Sequence, residues 1–233
     1  MEDTLTNRQK QHGNILIHLL YTADNMGKAK VFLIRHCEPE GHEQKLFNGH
    51  NDAPLIEKGR KQAELLRQRF QNEDVHAVYS SPLKRARHTA KLVFGEKVII
   101  LVEQDLIERY FGIVDGVPLD EAKKRHKNAE DVYEGRARTV LPGVEPLSDV
   151  RKRAYKKFKE ILEANPEKNI VLVGHVMWIK SLLSKILGLP ITRTDDVGRV
   201  GTSSATTLEV EYSRSKKPRK ITVFEIGDLK HLK

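Results

Sequence analysis

At 233 residues, with 39% hydrophobic and 31% charged side chains, the chain has the composition of an ordinary globular protein and room for one sizeable core. Its single cysteine, Cys37, excludes an intramolecular disulfide and a cysteine-based zinc cluster, and no apolar run is long enough for a membrane span. The net charge of +9, from 41 Lys and Arg against 32 Asp and Glu, is spread along the chain rather than gathered into one block.

Residues 1–28 are polar, carry no clear period and are expected to form an N-terminal appendage, with Met26 a plausible alternative start; residues 29–233 are expected to fold as one domain. The apolar stretch Ile15 to Leu20 is short, contains His18 and lacks a small-residue cleavage site, so no secretory signal is read and a cytoplasmic protein is expected. From there the pattern alternates: a strand over 30–35, a helix over 57–71, a strand over 75–79, a helix over 82–93 and a strand over 98–102. Residues 103–146 are irregular, punctuated by Gly112, Gly116, Pro118, Gly135, Pro142 and Gly143, as in insertions that carry function over strand ends. A helix follows over 147–164, with Leu147, Val150, Ala154, Phe158, Ile161 and Leu162 on one face, then a buried strand over 169–173 and a helix over 176–187. Residues 204–212 and 221–226 pair as a hairpin around a basic turn. The alternation predicts an α/β fold, a three-layer sandwich with a mostly parallel central sheet, helices on both faces and the hairpin at the edge.

Two basic stretches stand out, Lys123 to Lys127 with Arg151-Lys152-Arg153, and Lys216 to Lys220. No aromatics are interleaved with them as a base-stacking surface requires, so they are expected to be solvated helix faces and a hairpin tip rather than a nucleic-acid interface. The exposed hairpin edge leaves room for a homo-oligomer.

Polar groups gather where strands end. Arg35-His36 closes the apolar run Val31 to Ile34, Ser80-Ser81 and Arg85 follow the second strand, Glu108 follows the third, and Gly174-His175 follows the fourth. In open α/β sheets ligands bind beyond the carboxyl ends of the strands, and arginine there suits an oxyanion such as phosphate. Taken singly, a histidine after a strand is a structural residue and Arg85 a surface cation; the grouping is what points to chemistry. Cys37, directly after His36, reads as a small buried filler, with a redox-sensitive thiol as the other reading.

These segments resemble the histidine phosphatase superfamily, in its phosphoglycerate-mutase-like branch. The resemblance rests on Leu33-Ile34-Arg35-His36-Cys37-Glu38, on Gly49-His50-Asn51-Asp52-Ala53-Pro54-Leu55 with Gly59 and Gln62-Ala63, on the element from Ser80 to Ala90, on Leu106 to Gly116, and on Gly174-His175. It implies a single histidine phosphatase-like catalytic domain in which His36 attacks phosphorus, Glu108 gives and takes the proton, and Arg35, Arg85 and His175 surround the phosphoryl oxygens. No metal and no cofactor are expected. Cys37 stands where the family has Gly, which places an extra side chain beside the phosphate pocket; Val176 stands where many relatives have Gly, and Asn48 is the nearest counterpart of an Asn that many carry.

The resemblance implies a metal-independent phosphomonoester hydrolase acting on a small phosphorylated substrate. The alternatives are a cofactor-dependent phosphoglycerate mutase, which the compact spacing of Glu108 and His175 disfavours, and a non-catalytic module binding phospho-ligands or nucleic acid. Tyr110, Phe111 and Tyr133 either cover the leaving group or pack in the core. Sugar phosphates, nucleotides, α-ribazole phosphate, phosphoglycerates and phosphoproteins all stay open as substrates.

Overall fold

Apolar side chains alternate along the first strand, and that alternation sets the layers. In a computed structural model that describes residues 27–136 and 141–233, strand β1 (Lys28–Arg35) sends Val31 and Leu33 to one face of the sheet and Phe32 and Ile34 to the other. The expected appendage lies, up to residue 26, outside the described residues. The remaining elements are α1 (Glu57–Arg69), β2 (Ala77–Ser80), α2 (Lys84–Phe94), β3 (Ile100–Val102), α3 (Leu119–Arg125), α4 (Ala129–Glu134), α5 (Leu147–Ala164), β4 (Ile170–Gly174), α6 (Val176–Ile186), β5 (Ala205–Tyr212) and β6 (Pro218–Asp228). The sheet order is β3-β2-β4-β1-β5-β6; the first four strands are parallel, and β5 and β6 form the antiparallel hairpin at the edge.

Each face carries its own core. Val31, Leu33, Leu172 and Tyr79 pack with Phe158 and Leu162 of α5 and with Trp178 and Leu182 of α6. Phe32, Ile34, Val78, Val171 and Val173 pack with Ala63 and Leu66 of α1 and with Ala86 and Ala90 of α2. The three layers and the hairpin agree with the sequence pattern. No helix among the described residues is long and apolar enough to cross a membrane.

The segment read as irregular holds the short helices α3 and α4, tied by a third apolar cluster of Phe47, Phe111, Val114, Leu119, Val132 and Met177. Helices of one to two turns have too few repeats to leave a readable period. The cluster sits over the carboxyl ends of the parallel strands, because Phe47 lies just downstream of β1 and Met177 on the first turn of α6. Residues 103–136 and 141–146 thereby roof the edge at which His36 and His175 emerge.

Candidate active site

Strand β4 lies between β2 and β1, so Ser80, Arg35 and Gly174 end at one level: Ser80 pairs with Val173, and Arg35 with Gly174. The His36 N–H donates to Gly174 O (3.0 Å), and the Ser203 N–H donates to His36 O (3.1 Å). With its backbone held from both sides, the ring has one strong local partner, Cys37 O, 2.8 Å from Nδ1. A carbonyl only accepts, so Nδ1 carries the hydrogen and Nε2 keeps its lone pair, the form a nucleophile needs. Burial, then the charges of Arg85 and Arg35, hold the His36 pKa well below the ordinary 6.5, so the ring is neutral at physiological pH.

Three further groups surround it. His175 starts α6, its ring centroid 5.1 Å from that of His36; Nε2 lies 2.7 Å from Ser81 Oγ, while the buried Nδ1 has no partner. Its pKa too is pushed well below 6.5, by burial first and then by Arg85. Arg85 is fully buried on α2 and donates to the carbonyls of Asn51, Asn48 and Gly49 at 2.7–2.8 Å. Burial brings its pKa down to about 10. Arg35 donates to Val200 O at 2.8 Å. Among the described residues, the Nε atoms of both arginines are buried without partners. Arg35, His36 and Glu108 line a cavity of about 200 Å³, with His42, Asn48 and Tyr133; the His175 ring adjoins that of His36.

Glu108 is 3% exposed. Its Oε1 accepts the N–H groups of Arg109 (2.8 Å) and Trp178 (3.2 Å), and Oε2 accepts that of Met177 (3.2 Å). The carboxylate thus satisfies first-turn donors of α6 that have no partner within the helix. Two bonds fill Oε1, so Oε2 retains a lone pair that can take a proton. Its backbone carbonyl is held by His50 Nε2 (2.9 Å) and Arg153 (3.0 Å).

Several motif positions acquire physical reasons. A Cβ on Gly59 would lie 2.2 Å from Glu38 O, so only glycine lets α1 start against the backbone beyond His36. Asp52 accepts the Lys84 N–H at 2.6 Å and anchors the start of α2. Thr89 Oγ1 accepts the Cys37 N–H (2.9 Å) and donates to Arg85 O (2.8 Å), linking the residue after His36 to the helix that carries Arg85. Asp115 accepts the N–H groups of His50 and Asn51, pinning the loop that Arg85 grips from the other side.

Two expectations need correction. Cys37 does not narrow the pocket: its side chain is buried in the apolar cluster of Ile34, Leu55 and Ala205, and burial raises the thiol to about 11, which leaves it protonated and unreactive. Arg153 is not part of a solvated face. It is 17% exposed and donates to the carbonyls of Asp105, Ile107 and Glu108 while pairing with Glu145 at 2.8 Å. Sequence reasoning also missed Arg109, 1% exposed, and His42, which lines the cavity. The signal available for Arg153 was its place beside Val150 and Ala154 on the apolar stripe of α5. Of the three aromatics, Phe111 and Tyr133 line the cavity, whereas Tyr110 is exposed, its ring tilted against that of His50 with centroids 5.0 Å apart. Among the described residues, no three His, Cys, Asp or Glu side chains cluster as a metal site.

Residues 31–219 match the model of the histidine phosphatase superfamily (branch 1). The chain belongs to that superfamily. The uncharacterized phosphatase PhoE of Bacillus subtilis (strain 168) is 30% identical over 159 residues, 68% of this chain and 77% of that protein. The probable phosphoglycerate mutase GpmB of Yersinia pestis (strain Pestoides F) is 29% identical over 163 residues, 69% and 76% of the two chains. Among solved structures, Bacillus stearothermophilus YhfR superposes with a TM-score of 0.80 at 24% identity over 88% of this chain and 100% of that one. Mycobacterial glucosyl-3-phosphoglycerate phosphatase gives 0.77 at 22% identity over 86% and 99%. The superfamily and its phosphatase and mutase-like members make this chain a phosphatase or a mutase; the two superpositions carry the fold alone.

The two neutral rings give this superfamily member a defined acid sensitivity. Between its lowered folded pKa and its unfolded value of 6.5, each ring binds a proton only when the chain unfolds. Stability present above that value is therefore lost as the pH falls, by up to about 1.4 kcal/mol per pH unit for each ring. His42 and His231, also lowered by burial, act in the same direction. Urea denaturation at pH 7.5, 6.5 and 5.5 is expected to show a midpoint that drops below pH 6.5, where carboxylates are still ionised. A constant midpoint would mean that His36 and His175 take up protons inside the fold.

Proposed function

We propose that this superfamily member is a metal-independent phosphomonoester hydrolase working through a phosphohistidine on His36. The observation that carries the reading is the set of buried, partnerless nitrogens, Nε of Arg35, Nε of Arg85 and Nδ1 of His175, grouped around a neutral imidazole whose Nε2 lone pair is free. Unpaired buried donors are costly, and a phosphoryl group supplies the acceptors they lack.

In the first step His36 Nε2 attacks phosphorus in line, the bond from phosphorus to the ester oxygen breaks, and Glu108 protonates the departing alkoxide from Oε2. In the second step water attacks the phosphohistidine, Glu108 takes its proton, and the P–N electron pair returns to Nε2, releasing inorganic phosphate. A mutase must instead shelter the phosphohistidine from water until a second acid binds. The cavity here shares Arg35, His42, Tyr133, Val176 and Lys180 with a wider outer cleft of about 620 Å³, and that open route for water favours hydrolysis. The proposal includes a cytoplasmic location, a compartment in which a lone cysteine such as Cys37 stays a thiol.

The purified protein is expected to hydrolyse p-nitrophenyl phosphate undiminished in EDTA, and to release phosphate rather than isomerise 3-phosphoglycerate when 2,3-bisphosphoglycerate is added. Efficient isomerisation with little phosphate release would make it a mutase. No turnover on any phosphoester would leave a binding module.

A further inference from the structure

The outer cleft has a charge pattern that transfer of a simple phosphate does not need. Arg35, Lys45, Lys58, Lys180 and Arg199 line it against only Glu38 and Glu43. Lys58 is paired with Glu38 at 3.0 Å and Lys180 with Asp195 at 3.1 Å, whereas Lys45 and Arg199 have no carboxylate partner among the described residues. Arg199 is held in place by its backbone. It follows Gly198 at φ +96 and precedes Val200, whose carbonyl accepts from Arg35, and Gly227 packs so closely on its carbonyl that a Cβ there would lie 2.0 Å from the oxygen.

Burial lowers the pKa of Arg35, and the nearby charge of Arg199 pushes it the same way. Both side chains line the one cleft, and an anion bound there relieves the repulsion between like charges. Val200, Leu229 and Leu232 give the same cleft an apolar wall, and its volume is about three times that of the inner cavity, more than a short acid fills.

We propose that the outer cleft is a leaving-group subsite for phosphomonoesters whose alcohol carries a second anionic group, recognised by Arg199 and Lys45, on a ring-sized body packed against Leu229 and Leu232. The inference rests on the hydrolase reading above: the inner cavity holds the phosphoryl group that reacts, and the outer one sorts esters by what they release.

Two matched pairs of esters test it. Phosphoserine against phosphoethanolamine differs by a carboxylate, and fructose 1,6-bisphosphate against fructose 6-phosphate by a phosphate. In at least one pair the anionic member is expected to have a kcat/KM at least about tenfold higher, a difference of ~1.4 kcal/mol, and the pair that shows it identifies the anion. Arg199→Gln is expected to collapse that ratio, whereas Lys152→Gln, the same charge change on α5 away from the cleft, keeps it. Equal kcat/KM within both pairs, or a ratio that survives Arg199→Gln, overturns the subsite while p-nitrophenyl phosphate turnover upholds the hydrolase. If no ester turns over, the hydrolase reading fails and calorimetric binding of the same pairs decides the subsite. Tighter binding of the anionic member that is lost in Arg199→Gln supports it, and equal affinity overturns it.

Discussion

Replacing His36 with alanine is expected to lower kcat on p-nitrophenyl phosphate by about 10⁴-fold or more, the scale seen when a nucleophile is removed and its binding groups remain. No neighbour can take over. The Nε2 of His175 is engaged with Ser81 Oγ at 2.7 Å, and its ring centroid lies 5.1 Å from that of His36. His175→Ala should therefore cost about 10²- to 10³-fold, the loss of one donor to the transition state. The His36→Ala variant should remain folded, since among the described residues the His36 ring makes one hydrogen bond, to Cys37 O. Rapid quenching in alkaline detergent, which preserves phosphohistidine, is expected to trap a phosphoenzyme in the wild type and none in His36→Ala. The vacated space can admit free imidazole, so partial rescue by added imidazole would identify the missing function as nucleophilic. Turnover near the wild-type level in His36→Ala would remove the covalent mechanism.

The sequence made the frame of the molecule legible and its polar interior only in part, for physical reasons. Helix α5 spans Leu147–Ala164, the bounds read from its apolar stripe, because periodicity and burial there report the same face. Strand β3 is shorter than its apolar run, Ile100–Val102 against 98–102. It lies at the sheet edge with Ile99, Leu101 and Val102 exposed, so apolar character there does not signal burial. The residues at strand ends were legible because a parallel sheet brings strand termini to one edge whatever their separation in sequence. Arg153 was not, because its acceptors are carbonyls of residues 105–108, and a carbonyl acceptor leaves no mark in a sequence. For the same reason a motif could name Thr89 without disclosing that it joins Cys37 to Arg85. Cys37 was read rightly as a small buried filler but wrongly as reshaping the pocket, because a substitution beside His36 shows which residue changed but not which way its side chain points.

Glu108→Gln is expected to separate esters by how badly their leaving groups need a proton. The amide oxygen can keep the bonds from the Arg109 and Trp178 N–H groups, but the amide nitrogen then faces the Met177 N–H, donor against donor, at the 3.2 Å now occupied by a bond. A stability loss of about 1–3 kcal/mol follows from that conflict, measurable by denaturant titration. The kinetic effect is larger. An alkyl phosphate releases a strongly basic alkoxide, so loss of the Oε2 proton should slow the first step by about 10²- to 10⁴-fold. p-Nitrophenolate departs as a stable anion, so with that ester phosphorylation of His36 should stay fast. Water attack on the phosphoenzyme still lacks its base, and the second step becomes limiting. The variant should therefore show a burst of p-nitrophenolate matching the concentration of active sites, followed by slow turnover, and no burst of alcohol from alkyl esters. If Glu108→Gln slowed both ester classes equally and without a burst, proton transfer would belong to another group lining the cavity, and Glu108 would act only by fixing the start of α6 beside His175.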